Sequence, residues 1–201
     1  MTIRPGEDWG SPVSSASSSA VIGYSDAEIA TAIAAGQPVI VRGGSLHSSL
    51  GSPAGQGVTR RMSIDAIDVR RTDNGERLGL AVANVLIRRR RLFGMFRGRA
   101  ILVSNCGEFE GVSACPRAHP NDGRLDRLNV DHKMSSRQRR LAWRRAASGS
   151  HLPHPELSVS VGERFEVIVH SNEEVVLDGH SQRVVGGVSM AVIPDAGVIF
   201  I

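Results

Sequence analysis

Residues Leu157 to Ile201 read LSVSVGERFEVIVHSNEEVVLDGHSQRVVGGVSMAVIPDAGVIFI. Apolar and β-branched residues recur there in short runs: Leu157 to Val161, Phe165 to His170, Val175 to Leu177, Val188 to Ile193 and Val198 to Ile201. Asp178-Gly179 is hairpin-turn chemistry, and Asp195-Ala196-Gly197 is a second stop. The same texture begins near Met62, with runs at Ile64 to Arg70, Leu78 to Ile87, Arg99 to Ser104 and Leu125 to Val130, and with turns at Asn74-Gly75 and Asp122-Gly123. So many short strands in one stretch predict a β-sandwich or a partly closed barrel over residues 62–201. One interruption is helical. Ser135 and Gln138 form a capping box, Ser136 to Ala147 follows, and Gly149 stops it, which gives an inserted basic helix over 135–148.

Upstream the pattern differs. Ser11 to Ser19 (SPVSSASSS) has little apolar area to bury, so residues 1–19 read as a flexible lead-in. Residues 20–61 then read as a small α/β unit. Ser25 and Glu28 cap a helix carrying Ile29, Ala32 and Ile33, Gly36 ends it, and Val39 to Val41 is a buried-type strand running into Gly43-Gly44.

With 201 residues, 41% hydrophobic and 22% charged, the chain can fill one core and a smaller lobe, which excludes a disordered tail. No run approaches the roughly 18 apolar residues of a membrane span, and Glu7 and Asp8 replace the basic start of a secretory signal. A cytoplasmic protein is expected. Cys106 and Cys115 match no zinc spacing and read as reduced, buried thiols. His151 and His154 lie in HLPHP, where the prolines prevent the helical geometry of a zinc pair. Neither a P-loop, a dinucleotide fingerprint nor a complete nucleophile elbow occurs.

The net charge is only +4, but it is unevenly placed. Arg88 to Arg99 (RRRRLFGMFRGR) and Arg137 to Arg145 (RQRRLAWRR) contain no acid. In the first, Leu92, Phe93, Met95 and Phe96 lie among Arg88, Arg89, Arg90 and Arg91; in the second, Arg137, Arg140, Arg144 and Arg145 share a helix face opposite Ala142, Trp143, Ala146 and Ala147, with Arg139 intruding. Apolar anchors beside guanidinium groups suit an anionic membrane surface. Stacking on single-stranded nucleic acid is disfavoured by the scarcity of aromatics elsewhere. Asn121 to Asp126 groups acids and turn carbonyls as hard cations such as Mg²⁺ require, and Asp178, at a turn tip, could act as a general base if desolvated.

Ala118 to Asp126 (AHPNDGRLD) resembles the A-x-L-x-D-G-x-L-D loop of bacterial diacylglycerol kinases and related soluble lipid kinases, and Leu177-Asp178-Gly179-His180 resembles their late L-D-G-E turn. Val41 to Gly51 (VRGGSLHSSLG) is similar to a worn G-T-x-N-D-x-A-R-x-L-G segment, and Ser63 to Ile67 takes the place of the x-x-D-L-G entry to the second domain. The resemblance spans most of residues 37–201. It implies an N-terminal α/β nucleotide domain, truncated here, a C-terminal β-sandwich, and an active site in the cleft between them. By the same resemblance Asp122 would bind metal and Asp178 would deprotonate a lipid hydroxyl. The G-G-D-G-T nucleotide turn is missing; Gly44, Ser45 and Ser48 replace the family's Asn, Asp and Arg, and His180 replaces Glu. The expectation is a lipid-kinase-like protein that binds lipid or an anionic membrane face without autonomous kinase activity, and with no cofactor. The alternative is an ATP- and Mg²⁺-dependent lipid kinase whose nucleotide site is divergent or supplied by a separate nucleotide-binding chain.

Overall fold

The period-two runs pair into two facing sheets because one side of each strand is apolar. In chain order the elements are β1 (Ser11–Pro12), β2 (Val21–Gly23), α1 (Asp26–Ala34), β3 (Val39–Val41), α2 (Gly44–Ser49), β4 (Arg60–Arg71), β5 (Arg77–Ala81), β6 (Asn84–Arg89), a 3₁₀ turn (Gly94–Phe96), and β7 (Ala100–Ser104). They continue with β8 (Glu108–Phe109), β9 (Val112–Ser113), β10 (Leu125–Val130), α3 (Ser136–Ala146), β11 (Leu157–Gly162), β12 (Arg164–Val169), β13 (Glu173–Leu177), β14 (His180–Gln182) and β15 (Gly186–Phe200). This is a computed structural model, and it describes residues 9–52, 57, 60–90 and 94–201.

The first sheet runs β1-β4-β15-β3-β2, with β5 beside β4 and β12 beside β15; the second runs β11-β10-β7-β6-β13-β14. Ile67, Val69, Val167, Val188 and Met190 from the first meet Val85, Ile87, Ile101, Val103, Leu125 and Val175 from the second in the sandwich core. The fold is mainly β, a two-layer sandwich with a small N-terminal α/β part. The α/β part joins the first sheet directly. β2 and β3 are parallel, α1 crosses between them, and β3 pairs in parallel with the end of β15. A second core, built on Ile29, Ile33, Val39, Leu46, Ile64 and Ile199, fills that junction.

Three expectations change. The run Leu78 to Ile87 is two strands in different sheets: at Val82 and Ala83 the chain leaves β5 and crosses to β6, and both residues stay fully buried, so hydrophobicity gives no sign of the break. Asp195 does not end a strand. It sits at φ +49 in a bulge of β15, which resumes pairing with β4 at Gly197↔Ile64. Nor is the lead-in wholly free: β1 pairs with β4, and Trp9 donates its indole N–H to the Ser63 carbonyl at 3.0 Å.

Candidate functional site

Alternation on β6 and β13 builds the site. Val85, Ile87, Val175 and Leu177 point into the sandwich, so Asn84, Leu86, Arg88 and Val176 are left on the opposite face. Asp178 follows at the β13–β14 turn, at φ +44. These residues form one wall of a cleft of about 410 Å³; Tyr24, Ser25 and Asp26 from the start of α1, and Gly44, Ser45 and Ser48 from α2, form the other. The start of α2 and the Asp178 turn therefore share a cleft.

Within the cleft, two carboxylates take up backbone donors. Asp178 accepts the N–H groups of Val82 at 2.6 Å, Ala83 at 3.2 Å and Asn84 at 2.8 Å, which the crossover from β5 to β6 leaves without ladder partners. Burial pushes Asp178 up to about 7, against the opposing pull of those N–H groups, and the nearby Asp26 adds to the rise. Asp26 accepts the Ser45 N–H at 2.7 Å and the Leu46 N–H at 3.0 Å. The amides at the start of α2, to which an anion would be drawn, are thus occupied by the chain's own acid.

Asp122 is not in this cleft. It lines a separate groove with Arg124, Glu163 and Arg164, and its carboxylate accepts the Arg124 N–H at 2.9 Å. Its neighbour Asp65 is fully buried and accepts from Gly123 N–H at 2.8 Å, Asp195 N–H at 2.9 Å and the Asn121 amide at 3.3 Å. Asp65 ties three segments together, and burial raises it to about 6. Both Asp65 oxygens are thus engaged by N–H donors, and among the described residues no group of three or more His, Cys, Asp or Glu is placed to hold a metal.

The arginines separate into buried and exposed sets. Arg88 pairs with Glu174 at 2.9 Å beside the cleft, and Arg99 pairs with buried Glu173 at 2.7 Å, so both fix β13. Arg89 and Arg90 are exposed, whereas Arg91, Leu92 and Phe93 lie outside the described residues. On α3 the capping box of Ser135 and Gln138 is present, and Arg137, Arg140, Arg144 and Arg145 are exposed around the exposed Leu141. Arg139 is the opposite. It is only 4% exposed and donates to the carbonyls of Met134, Met95, Asp131 and Gly98, clamping α3 to the loop before it and to the Met95–Gly98 segment ahead of β7.

Beneath α3 is a second, apolar pocket of about 80 Å³, lined by Leu86, Leu102, Phe109, Leu128, Met95 and Trp143 among others. Leu86 and Phe109 also line the polar cleft, so the two spaces share walls. Sequence reasoning missed Asp26, whose place in the first turn of α1 is ordinary for an acid and whose amide partners lie about twenty residues on. His151, considered in the sequence only as one half of a zinc pair with His154, is buried in the wall of this pocket. No helix among the described residues is long and apolar enough to cross a membrane.

No family model and no curated protein sequence matches the chain. Solved structures do. Two structures of a protein assigned as a diacylglycerol kinase from Bacillus anthracis str. Sterne align over 90% of this chain and 76% and 77% of theirs, with TM-scores of 0.63 and 0.62 at 10% identity. A third, of a diacylglycerol kinase from the same strain, has a TM-score of 0.56 at 11% identity over 90% of this chain and 74% of its own. The chain therefore has a diacylglycerol-kinase-like fold.

Proposed function

We propose that this protein binds an anionic lipid surface through α3 and does not transfer phosphate by itself. The observation that carries this is the division of α3 into two faces: Trp143 and Ala146 close an apolar pocket, while four arginines surround Leu141 in solvent. Guanidinium groups would meet phosphates, Leu141 would enter the headgroup boundary, and an apolar part of a lipid would reach the pocket whose walls continue into the polar cleft. The absence of phosphate transfer is supported by Asp26 and Asp178, which hold the amides a phosphate would otherwise use; in phosphoryl transfer the protein's main contribution is positioning and charge neutralisation of those phosphates.

Co-sedimentation with phosphatidylglycerol-containing vesicles tests this. Each basic group near an anionic leaflet is worth about 1 kcal/mol, so Arg140→Gln with Arg144→Gln should weaken binding roughly 30-fold, and salt should weaken it further. Equal binding to pure phosphatidylcholine vesicles would refute it.

One observation favours an enzymatic alternative. Asp178 is raised to about 7, the range of a general base, and lines a cleft that a lipid headgroup could enter. Its role would be to take the proton of a lipid hydroxyl, with nucleotide and metal held at a divergent site on this chain or supplied by a second chain. Calorimetric titration with Mg-ATP separates the readings: heat of binding to the isolated chain supports the kinase, and none at millimolar nucleotide removes it for this chain alone.

A further inference from the structure

A histidine in the wall of the apolar pocket beneath α3 carries one polar atom that the fold leaves unanswered. His151 is 5% exposed and lines the pocket. Its Nε2 lies 3.1 Å from the Ala114 carbonyl, and a carbonyl only accepts, so Nε2 carries the proton. The tautomer is thereby fixed, and Nδ1 is a bare lone pair. Nδ1 is buried and has no hydrogen-bond partner. Burial also holds the ring below its ordinary pKa, which keeps it neutral near pH 7.

We infer that this pocket accepts a short alkyl segment bearing a hydroxyl group, whose O–H donates to His151 Nδ1. The inference rests on the lipid binding proposed above and specifies the chemistry of the apolar part. An unpaired buried acceptor is a standing cost that a ligand donor removes. Three features narrow the donor to a hydroxyl. The walls are almost wholly apolar, so the ligand needs one donor and no polar remainder. The other ionisable side chain in the wall, Arg139, is already committed to four backbone carbonyls and is cationic, which disfavours an ammonium. An amide N–H would bring a carbonyl whose desolvation the almost wholly apolar walls penalise. The space, about 80 Å³, suits a few methylenes and not a full acyl chain, so the rest of the molecule would extend through the shared Leu86 and Phe109 walls toward the polar cleft.

The test uses two isomers that differ only in the donor, 1-hexanol and 1-methoxypentane, titrated into the full chain by calorimetry. The alcohol should bind about tenfold tighter, the value of one net hydrogen bond. His151→Phe should abolish the difference by weakening the alcohol and leaving the ether unchanged, while His151→Gln, which keeps a donor for Ala114 and an acceptor, should preserve the preference. In the native chain, independent of any variant, the unprotonated ring nitrogen of His151 should shift upfield by ¹⁵N NMR with the alcohol and stay put with the ether. Equal affinities for the two isomers, or no nitrogen shift, overturn the hydroxyl inference while leaving an apolar site in place. Failure of both isomers to bind overturns the pocket itself. A hydroxyl preference in a protein that ignores anionic vesicles upholds this inference and refutes the membrane reading.

Discussion

Asp178 and Asn84 are joined in both directions: the Asp178 N–H donates to the Asn84 carbonyl at 2.9 Å, and the Asn84 N–H donates to the Asp178 carboxylate at 2.8 Å. The pair locks the β13–β14 turn onto the point where the chain passes from one sheet to the other. A residue that the resemblance marks as a catalytic base is therefore also a structural cap. Asp178→Ala should leave the amides of Val82, Ala83 and Asn84 without acceptors. At about 1–3 kcal/mol for a buried unsatisfied group, partly relieved by water, the expected loss is about 3–5 kcal/mol, and the melting temperature should fall by about 10 °C. Calorimetric unfolding that shows no loss would mean the cap is not needed.

Acidification should stabilise this fold, contrary to the common behaviour of carboxylates. Asp178 is raised to about 7, and Asp65 and Asp126 to about 6, each chiefly by burial. In the unfolded chain all three ionise near the ordinary aspartate value, so between pH 4 and 7 these three groups hold more protons in the native state than in the unfolded one, an excess that half-buried His119 and buried His151, held below the ordinary histidine value, oppose in part. Linkage then makes stability fall as pH rises through that window. Thermal melts from pH 8 down to about pH 5.5 should show an increasing melting temperature. Asp178→Asn, whose amide does not titrate, should flatten the upper part of that rise.

What the sequence disclosed depended on whether partners were near in the chain. The β10 strand, Leu125–Val130, and the capped start of α3 are legible because alternation and capping are local. The break at Val82 and Ala83 is hidden because both flanking strands bury apolar residues in the same core. The bulge at Asp195 imitates a turn, since its stabilising contact comes from Asp65 in β4. Among the site residues, the placement of Asp178 in a cleft with the worn Gly44–Ser48 segment follows the order of motifs, but the separation of Asp122 from it does not. Helical spacing already sets Arg139 apart from the other arginines of α3, on the apolar side; what it does not show is that carbonyls of Met95 and Gly98, some forty residues upstream, take up the buried guanidinium.

Arg139 and Arg140 are consequently expected to differ sharply. Arg139→Met removes a buried cation that satisfies four carbonyls, and those oxygens remain buried beneath α3. The cost should be about 3–5 kcal/mol, with α3 loosened and Trp143 fluorescence shifted to the red. Arg139→Lys should recover little, because an ammonium has three donors and lacks the planar fork. Arg140→Met should change stability by less than about 0.5 kcal/mol. Equal melting temperatures for the Arg139 and Arg140 variants would contradict the clamp.

Gly44 and Gly36 provide a matched pair for the cleft. Both have positive φ, +86 and +72, so alanine at either incurs the left-handed backbone penalty of about 1–2 kcal/mol. Only Gly44 faces an obstacle: a Cβ there would lie 2.3 Å from Asp26 Oδ1 and 2.8 Å from the Asp26 N–H nitrogen, whereas a Cβ at Gly36 meets nothing within 4 Å. Gly44→Ala must therefore displace the carboxylate that accepts the Ser45 and Leu46 amides, and should cost about 2 kcal/mol more than Gly36→Ala by thermal unfolding. The displaced acid would also uncover the start of α2. If Asp26 is what keeps phosphate from those amides, Gly44→Ala at a temperature where it is still folded should gain weak binding of inorganic phosphate by ³¹P NMR, and the Gly36 variant should not.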